Sequence, residues 1–246
     1  MTKPLADRIV LVTGASRGIG RAAATALAEA GAHVIAVART VGGLEELDDA
    51  IRAAGGQATL VPLDLKDFDG IDRLGGVIFN RWGRLDGLFA NAGVLGAITP
   101  LAHVESKTWD DAIAVNLTAN WRLIRSVDVL LRQSDAGRAL FVTSGAARLC
   151  QPFWGTYSVT KMALEALART YAAEVANTPV RANLINPGPL RTRMRAQAMP
   201  GENPETLQPP DVIAPKVVHM LSPEYRDNGV IFDFPARQAI MPPSPG

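Results

Sequence analysis

Val12-Thr13-Gly14-Ala15-Ser16-Arg17-Gly18-Ile19-Gly20 ends one apolar run and opens an alanine-rich one. Behind it, Arg8 to Val12 reads as a short buried strand. Ahead of it, Ile19 to Ala30 is made of strong helix formers and is stopped by Gly31. The glycines therefore sit at a strand-to-helix junction. Glycine permits a tight turn and lets a ligand approach the backbone, and the free N–H groups and dipole of a helix N-terminus favour a pyrophosphate. A dinucleotide suits that chemistry. The spacing Gly14, Gly18, Gly20 departs from G-x-G-x-x-G by leaving three residues inside the first turn. A glycine turn that only lets a helix pack against a strand is the bland alternative, and the remainder of the chain must decide between them.

The same alternation continues. His33 to Ala38 reads as a second strand, about Gly43 to Ala54 as a helix, Ala58 to Leu63 as a third strand ending at Asp64, and a helix lies within Asp67 to Arg81. Leu85 to Ala90 is a fourth strand that runs into Asn91-Ala92-Gly93. A long helical stretch from about Lys107 to Gln133 follows, then a fifth strand from Ala139 to Thr143. A loop through Phe153, a helix from about Thr156 to Ala176 and a sixth strand from Val180 to Ile185 come next. Strand and helix in turn predict an α/β fold, one Rossmann-type doubly wound parallel sheet of about seven strands with helices on both faces. Its ligands belong at the carboxyl ends of the strands. One domain over 1–246 is expected. From Asn186 onward, prolines at 187, 189, 200, 204, 209, 210 and 215 break the chain into short pieces, which reads as a substrate lid at about 190–212. Asp211 to Leu221 reads as a final helix, Val230 to Phe234 as a last strand, and Met241 to Gly246 as a proline-rich tail.

Composition narrows the function classes. The chain has 246 residues, 48% of them hydrophobic, enough for a sizeable core. Lys+Arg 25 against Asp+Glu 24 gives a formal net charge of +1 with no basic block, so neither nucleic acid nor an anionic membrane is an expected partner. No apolar stretch approaches a membrane span, and the N-terminal run is too short for a signal-peptide core, which predicts a cytoplasmic protein. Cys150 is the single cysteine and reads as packing. His33, His103 and His219 stand far apart without spaced partners, so no metal site is expected. The helices at 107–133 and 156–176 carry apolar residues on several sides, among them Val115, Trp121, Leu131, Met162 and Val175. That pattern predicts burial both on the sheet and in a homodimer or homotetramer interface, and a monomer in light scattering would refute it.

Tyr157 and Lys161 lie four residues apart on one predicted helix, so a phenol and an ammonium project from one face. A nearby positive charge favours the ionised phenol and would move its pKa, near ~10 in isolation, toward working pH. The chain resembles the short-chain dehydrogenase/reductase family through about residue 192. The motifs that carry the resemblance are Thr13-Gly14-x-x-x-Gly18-x-Gly20, Asn91-Ala92-Gly93, Ser144, Tyr157-x-x-x-Lys161 and Asn186-Pro187-Gly188. By that resemblance Asn116, Ser144, Tyr157 and Lys161 match the catalytic tetrad. Ser144 would hydrogen-bond a carbonyl oxygen, Tyr157 would donate the proton and a nicotinamide would deliver hydride, with alcohol oxidation in reverse. Lys161 would hold the ribose hydroxyls and lower the Tyr157 pKa, and Asn116 would interrupt its helix to position a water. The resemblance further implies that Asp64 with Leu65 meets the adenine, that Gly14, Ser16, Arg17, Gly18, Ile19 and Gly20 cradle the phosphates, and that Asn91, Ala92 and Gly93 line the ribose side. Leu190 and Thr192, after Pro187 and Gly188, would contact the carboxamide.

The cofactor choice rests on one turn. An acidic side chain after the second strand would accept from the adenosine ribose hydroxyls, but the turn reads Ala38-Arg39-Thr40. Arg39 and Arg17 suit a 2′-phosphate instead, so NADP(H) is expected over NAD(H). Toward the end the sequence departs from the family pattern, since Val230 to Phe234 runs into Pro235-Ala236. Arg191, Arg193 and Arg195 near the mouth allow an anionic substrate, and Leu149, Phe153 and Trp154 an apolar wall. The expected activity is carbonyl/alcohol interconversion on a small molecule. Rivals are a catalytically silent NADP(H)-binding sensor or scaffold, and an epimerase or dehydratase, for which the short chain lacks a separate substrate domain.

Overall fold

A computed structural model describes residues 3–241. Most of the proline-rich tail, 242–246, lies outside the described residues. Eight strands form one sheet: β1 (Ile9–Thr13), β2 (His33–Ala38), β3 (Gln57–Pro62), β4 (Gly87–Ala90), β5 (Arg138–Val142), β6 (Arg181–Asn186), β7 (Ile231–Asp233) and β8 (Gln238–Ile240). Their order is β3-β2-β1-β4-β5-β6-β7-β8, all parallel except the β7–β8 hairpin. The helices are α1 (Gly18–Glu29), α2 (Val41–Ala53), α3 (Phe68–Trp82), α4 (Ser106–Ile113), α5 (Ala119–Arg132), α6 (Ala146–Leu149), α7 (Gly155–Glu174), α8 (Arg193–Ala198) and α9 (Ala214–Met220).

Every residue of β1, β4 and β5 is buried, because helices cover both faces and leave no polar side to alternate with. The strand pleat sends Val10 and Val12 to one face and Leu11 to the other. Val10 and Val12 join Leu27 of α1, Leu44, Leu47 and Ile51 of α2 and Val217 of α9. Leu11 joins Ile71 and Leu74 of α3, Leu123 and Val127 of α5 and Leu164 of α7. This is the doubly wound arrangement expected from strand and helix in turn.

Three expectations need correction. The helical stretch 107–133 is not uniform: a π-turn at Ala114–Thr118 separates α4 from α5, and the extra residue per turn tilts Asn116 inward, where it is fully buried. The sheet has eight strands, in keeping with the expected count of about seven. β8 follows a turn in which the Asp233 carboxylate accepts from Ala236 N and Arg237 takes a left-handed φ of 53°. Its exposed Gln238 and Ala239 give it no apolar signature in the sequence. The loop before α7 contains the short α6, and the final helix begins as a 3-10 turn at Pro210–Ile213, where two prolines delay α-helical pairing. Much of the apolar surface of α5 and α7 goes into the core, but Trp121, Val129, Val159 and Met162 stay exposed.

Candidate active site

The strand order reverses between β1 and β4, and the carboxyl ends of the strands there open onto a cleft of about 1410 Å³. Ordinary ligand pockets hold roughly 300–1,000 Å³, so this one has room for a large ligand and a second, smaller one. All the expected site residues line it except Gly20 and Asn116, which support it from behind.

At one end lies the glycine turn. Arg17 precedes α1 in an extended conformation, no side chain caps the helix, and its first turn holds no acidic residue. The helix N-terminus thus keeps donors for an anion. Gly18 takes a left-handed φ of 55°, and a methyl group on its Cα would meet only Thr192 Cγ2, in ordinary contact at 3.6 Å. A Cβ on Gly20 would collide with the Gly14 carbonyl. Thr13 ties this turn to the next one: its hydroxyl accepts from Asn91 N and Ala92 N, both at 3.1 Å, while Asn91 Nδ2 donates to Thr13 O at 2.9 Å. In the sequence Thr13 stands out only as part of the motif. The cradle therefore fits a dinucleotide pyrophosphate.

Beyond β2 no carboxylate follows directly. Arg39 is exposed, with Nη1 3.7 Å from Asp64 Oδ2 at the end of β3, and Thr40 Oγ1 donates to Ser16 Oγ at 3.1 Å. Arg17 lies exposed on the same side of the cleft. Two guanidinium groups and two hydroxyls thus line this end of the cleft.

At the other end, α7 presents Tyr157 and Lys161, both buried. The Tyr157 hydroxyl is hydrogen-bonded to the side chain of Ser144, which follows β5 and accepts from Ala146 N at 3.2 Å. Lys161 Nζ donates to Val142 O at 2.7 Å and lies 5.7 Å from the Tyr157 ring centroid. Burial pushes the Lys161 ammonium down to about 8 and the Tyr157 phenol up to about 12, with only the Ser144 hydrogen bond opposing the latter. The expectation of a lysine-lowered phenol is not met in this arrangement. The ammonium is held by a backbone carbonyl, and desolvation outweighs any help it gives the phenolate.

Asn116 interrupts its helix as expected, and its amide is fully engaged. Oδ1 accepts from Val94 N and Nδ2 donates to Val94 O, each at 2.8 Å, and Nδ2 also reaches Thr160 Oγ1 at 3.0 Å. It fastens the Asn91–Val94 loop to α7. Asn186 does similar work after β6: its Oδ1 accepts from Gly145 N and Gly188 N, and its Nδ2 donates to Asp233. The atypical Pro235 packs on Gly188, where a Cβ would collide with its ring. Leu190 is buried and Thr192 caps α8 through Arg195 N.

Two groups carry no strong signal in the sequence. Glu165, buried one turn beyond Lys161, accepts from Thr143 Oγ1 at 2.8 Å and from Arg148 at 3.4 Å. The polar repeat Tyr157, Lys161, Glu165 at four-residue spacing is the one local hint of it. Asp233 is the other, and its hint is its place at the end of the last parallel strand. Of the expected apolar wall, Leu149 and Trp154 line the cleft, Trp154 with its ring edge toward Tyr157 at 6.2 Å. Phe153 does not: its left-handed φ of 73° turns it outward, and it is exposed. Among the described residues, no group of three His, Cys, Asp or Glu is placed to hold a metal ion, and no helix is long and apolar enough to cross a membrane.

Comparison with known proteins places this geometry. The family described as short chain dehydrogenase matches residues 8–203. The uncharacterised oxidoreductase YciK of Escherichia coli K12 is 37% identical over 233 residues, covering 93% of this chain and 92% of its own. A solved short chain dehydrogenase of Shigella flexneri, complexed with NADP, superposes with a TM-score of 0.91 at 36% identity over 95% of this chain and 99% of that one. An uncharacterised NAD-dependent oxidoreductase of Mycobacterium tuberculosis is 35% identical over 77% of this chain and 74% of its own.

Proposed function

This chain belongs to the short-chain dehydrogenase/reductase family, and from that premise we propose that it is an NADP(H)-dependent oxidoreductase interconverting a carbonyl and an alcohol, with Tyr157 as the general acid and base. The observation that carries the proposal is the Tyr157 phenol, hydrogen-bonded to Ser144 at the inner end of a cleft whose outer end is an uncapped helix N-terminus. A nicotinamide, when bound, supplies the hydride chemistry.

The protein's own groups do the rest. Ser144 holds the substrate oxygen. Tyr157, which keeps its proton at neutral pH, gives it to that oxygen in reduction and regains one from solvent; in oxidation it first loses that proton to solvent and then accepts the one from the alcohol. Lys161 holds the nicotinamide ribose hydroxyls, and Asn116, whose amide is taken up by Val94 and Thr160 rather than left for the expected water, fixes the loop that borders them. Gly14, Ser16, Gly18, Ile19 and Gly20 form the pyrophosphate cradle. Asp64 and Leu65 border the adenine, Asn91, Ala92 and Gly93 the ribose, and Pro187, Gly188, Leu190 and Thr192 the carboxamide. Arg39 and Arg17 favour a 2′-phosphate, and the NADP complex of a relative supports that preference, whereas another relative is named NAD-dependent. The segment 190–212 serves as the lid of a single-domain enzyme. Exposed Trp121, Val129, Val159 and Met162 support pairing of copies through α5 and α7, and a lone, exposed Cys150 accords with a cytoplasmic setting.

The deciding assay follows loss of reduced-nicotinamide absorbance over a panel of ketones, aldehydes and quinones, with NADPH against NADH. Tyr157→Phe should cost about 10²–10⁴-fold in turnover while leaving NADPH binding in place. NADPH binding without turnover of any carbonyl by the unaltered protein would favour the silent sensor.

A further inference from the structure

Four arginines line the catalytic half of the cleft: Arg148, Arg191, Arg193 and Arg195. Read from the sequence they suggest a mouth for anions, but three of them are already answered by the protein's own carboxylates. Arg195 makes a fork to Glu202, with Nε to Oε2 and Nη2 to Oε1 both at 2.6 Å. Arg191 Nη1 is 3.0 Å from Glu205 Oε1, and Arg148 meets the buried Glu165 at 3.4 Å. The first two pairs lie within one closed segment, whose ends are joined where Leu190 bridges Gln208 and Arg191 N donates to Gln208 O at 2.9 Å. That segment neutralises two of its own three arginines. Among the described residues, Arg193 alone of the four has no carboxylate partner, and it is exposed.

Beside Gln151 and Gln197 the lining also carries apolar, deformable side chains. Leu95, Leu149, Trp154, Met194 and Met199 line the same half of the cleft, with the Trp154 ring standing against Tyr157. Methionine and tryptophan fit varied apolar shapes at little cost. At three of the four arginines a carboxylate-bearing substrate would have to displace Glu202, Glu205 or Glu165, trading one ion pair for another with no gain, and the fourth, Arg193, is exposed, where an ion pair adds little. An uncharged apolar substrate gains from burial and disturbs no pair.

Resting on the oxidoreductase reading above, we propose that the substrate is an uncharged, apolar carbonyl compound or its alcohol, and that Glu202, Glu205 and Glu165 are specificity residues that neutralise three of the four arginines of the mouth against anionic substrates.

The test uses matched pairs that differ by one carboxylate: acetophenone with 4-acetylbenzoate, and 2-decanone with 9-oxodecanoate. Binding of each to the protein saturated with NADP⁺, where the ketone cannot be reduced, is measured by calorimetry, and kcat/KM is measured separately with NADPH. The neutral member of each pair should bind at least about tenfold more tightly. Glu202→Gln should release Arg195 and improve the carboxylated member by about tenfold, and Glu205→Gln, at a more exposed position, should do the same through Arg191 to a smaller degree. Tighter binding of the carboxylated members by the unaltered protein, ratios unmoved by both substitutions, or binding of neither member of either pair would each overturn the proposal. Failure of the underlying reading looks different: the neutral members bind as expected, yet NADPH is never consumed.

Discussion

At the amino ends of the strands, Arg8, Asp86 and Ser134 are buried together, and their charges are closed off by protein. Asp86 accepts from Ile9 N at 2.8 Å, from Ser134 Oγ at 2.6 Å and from Arg84 Nε at 3.2 Å, with Arg8 Nη2 at 3.6 Å. Arg8 also donates to Ala136 O and Ser134 Oγ. At the carboxyl ends Tyr157 and Lys161 are as deeply placed but sparsely held. Lys161 has one hydrogen bond, to Val142 O, and Tyr157 has Ser144. A buried polar group held by several protein partners, as Arg8 is at both its terminal nitrogens though not at Nε, fixes one structure, and one with few partners keeps its capacity for a ligand. The two ends of one sheet have been put to these separate uses.

The contrast can be broken most forcefully at the amino end. Asp86→Ala removes the acceptor for Ile9 N and Ser134 Oγ and leaves Arg8 with Asp135, 3.1 Å away, as its one carboxylate, so it should destabilise the fold by about 1–3 kcal/mol. Urea unfolding followed by circular dichroism reads that loss directly. The molecules that remain folded should keep their turnover. A variant as stable as the unaltered protein would show that the network is ornament and that the two ends do not differ as argued.

A pH series sharpens the other side. The Lys161 pKa is lowered to about 8 from 10.5, so the folded protein binds fewer protons than the unfolded chain between those values. The cost of burying that charge is therefore present below pH 8 and fades as pH rises toward 10.5, the reverse of a stabilising pair. For activity the sign is opposite: the charged form that holds ribose hydroxyls is lost as pH rises through about 8. Reductive kcat/KM should be level below that point and fall above it. Tyr157, pushed up to about 12, stays protonated throughout and cannot produce the fall. In Lys161→Met the profile should be flat over the same range, and a decline that persists there would assign the titration to another group.

These two ends differ in legibility as well. The glycine turn, the alternation of strand and helix and the Tyr157–Lys161 spacing are local patterns, each set by a few neighbouring residues, and all can be read from the sequence. The Asp86 network cannot be, because Arg8, Asp86 and Ser134 are brought together from three distant places by sheet order alone. Glu165 is hidden for the same reason, its partners lying on β5's exit and on α6. The lysine effect on Tyr157 is misjudged from sequence because spacing gives a shared helix face, whereas the pKa follows burial and the direction in which Nζ points. Charge at the mouth is legible as arginines but not as ion pairs, since Glu202 and Glu205 return to Arg195 and Arg191 only once the segment has folded back. β8 carries no pattern of its own and exists by pairing with β7.

The smallest expected effect lies on the exposed rim, where Arg39 stands 3.7 Å from Asp64 with both side chains well solvated. An exposed pair of that kind holds its partner weakly, in contrast to the buried charges of the amino end. A phosphate dianion that also meets Arg17, Ser16 and Thr40 can therefore take Arg39 from Asp64 at little cost. Arg39→Asp would set a second carboxylate beside Asp64, repel a 2′-phosphate and supply an acceptor for ribose hydroxyls in its place. The ratio of kcat/KM for NADPH over NADH should fall by at least about tenfold, equivalent to roughly 1.4 kcal/mol, with the unfolding midpoint unmoved. An unchanged ratio would sink the assignment of Arg39. A changed ratio accompanied by a large loss of stability would show instead that this rim is built like the amino end, with its charges committed to the fold rather than held for a ligand.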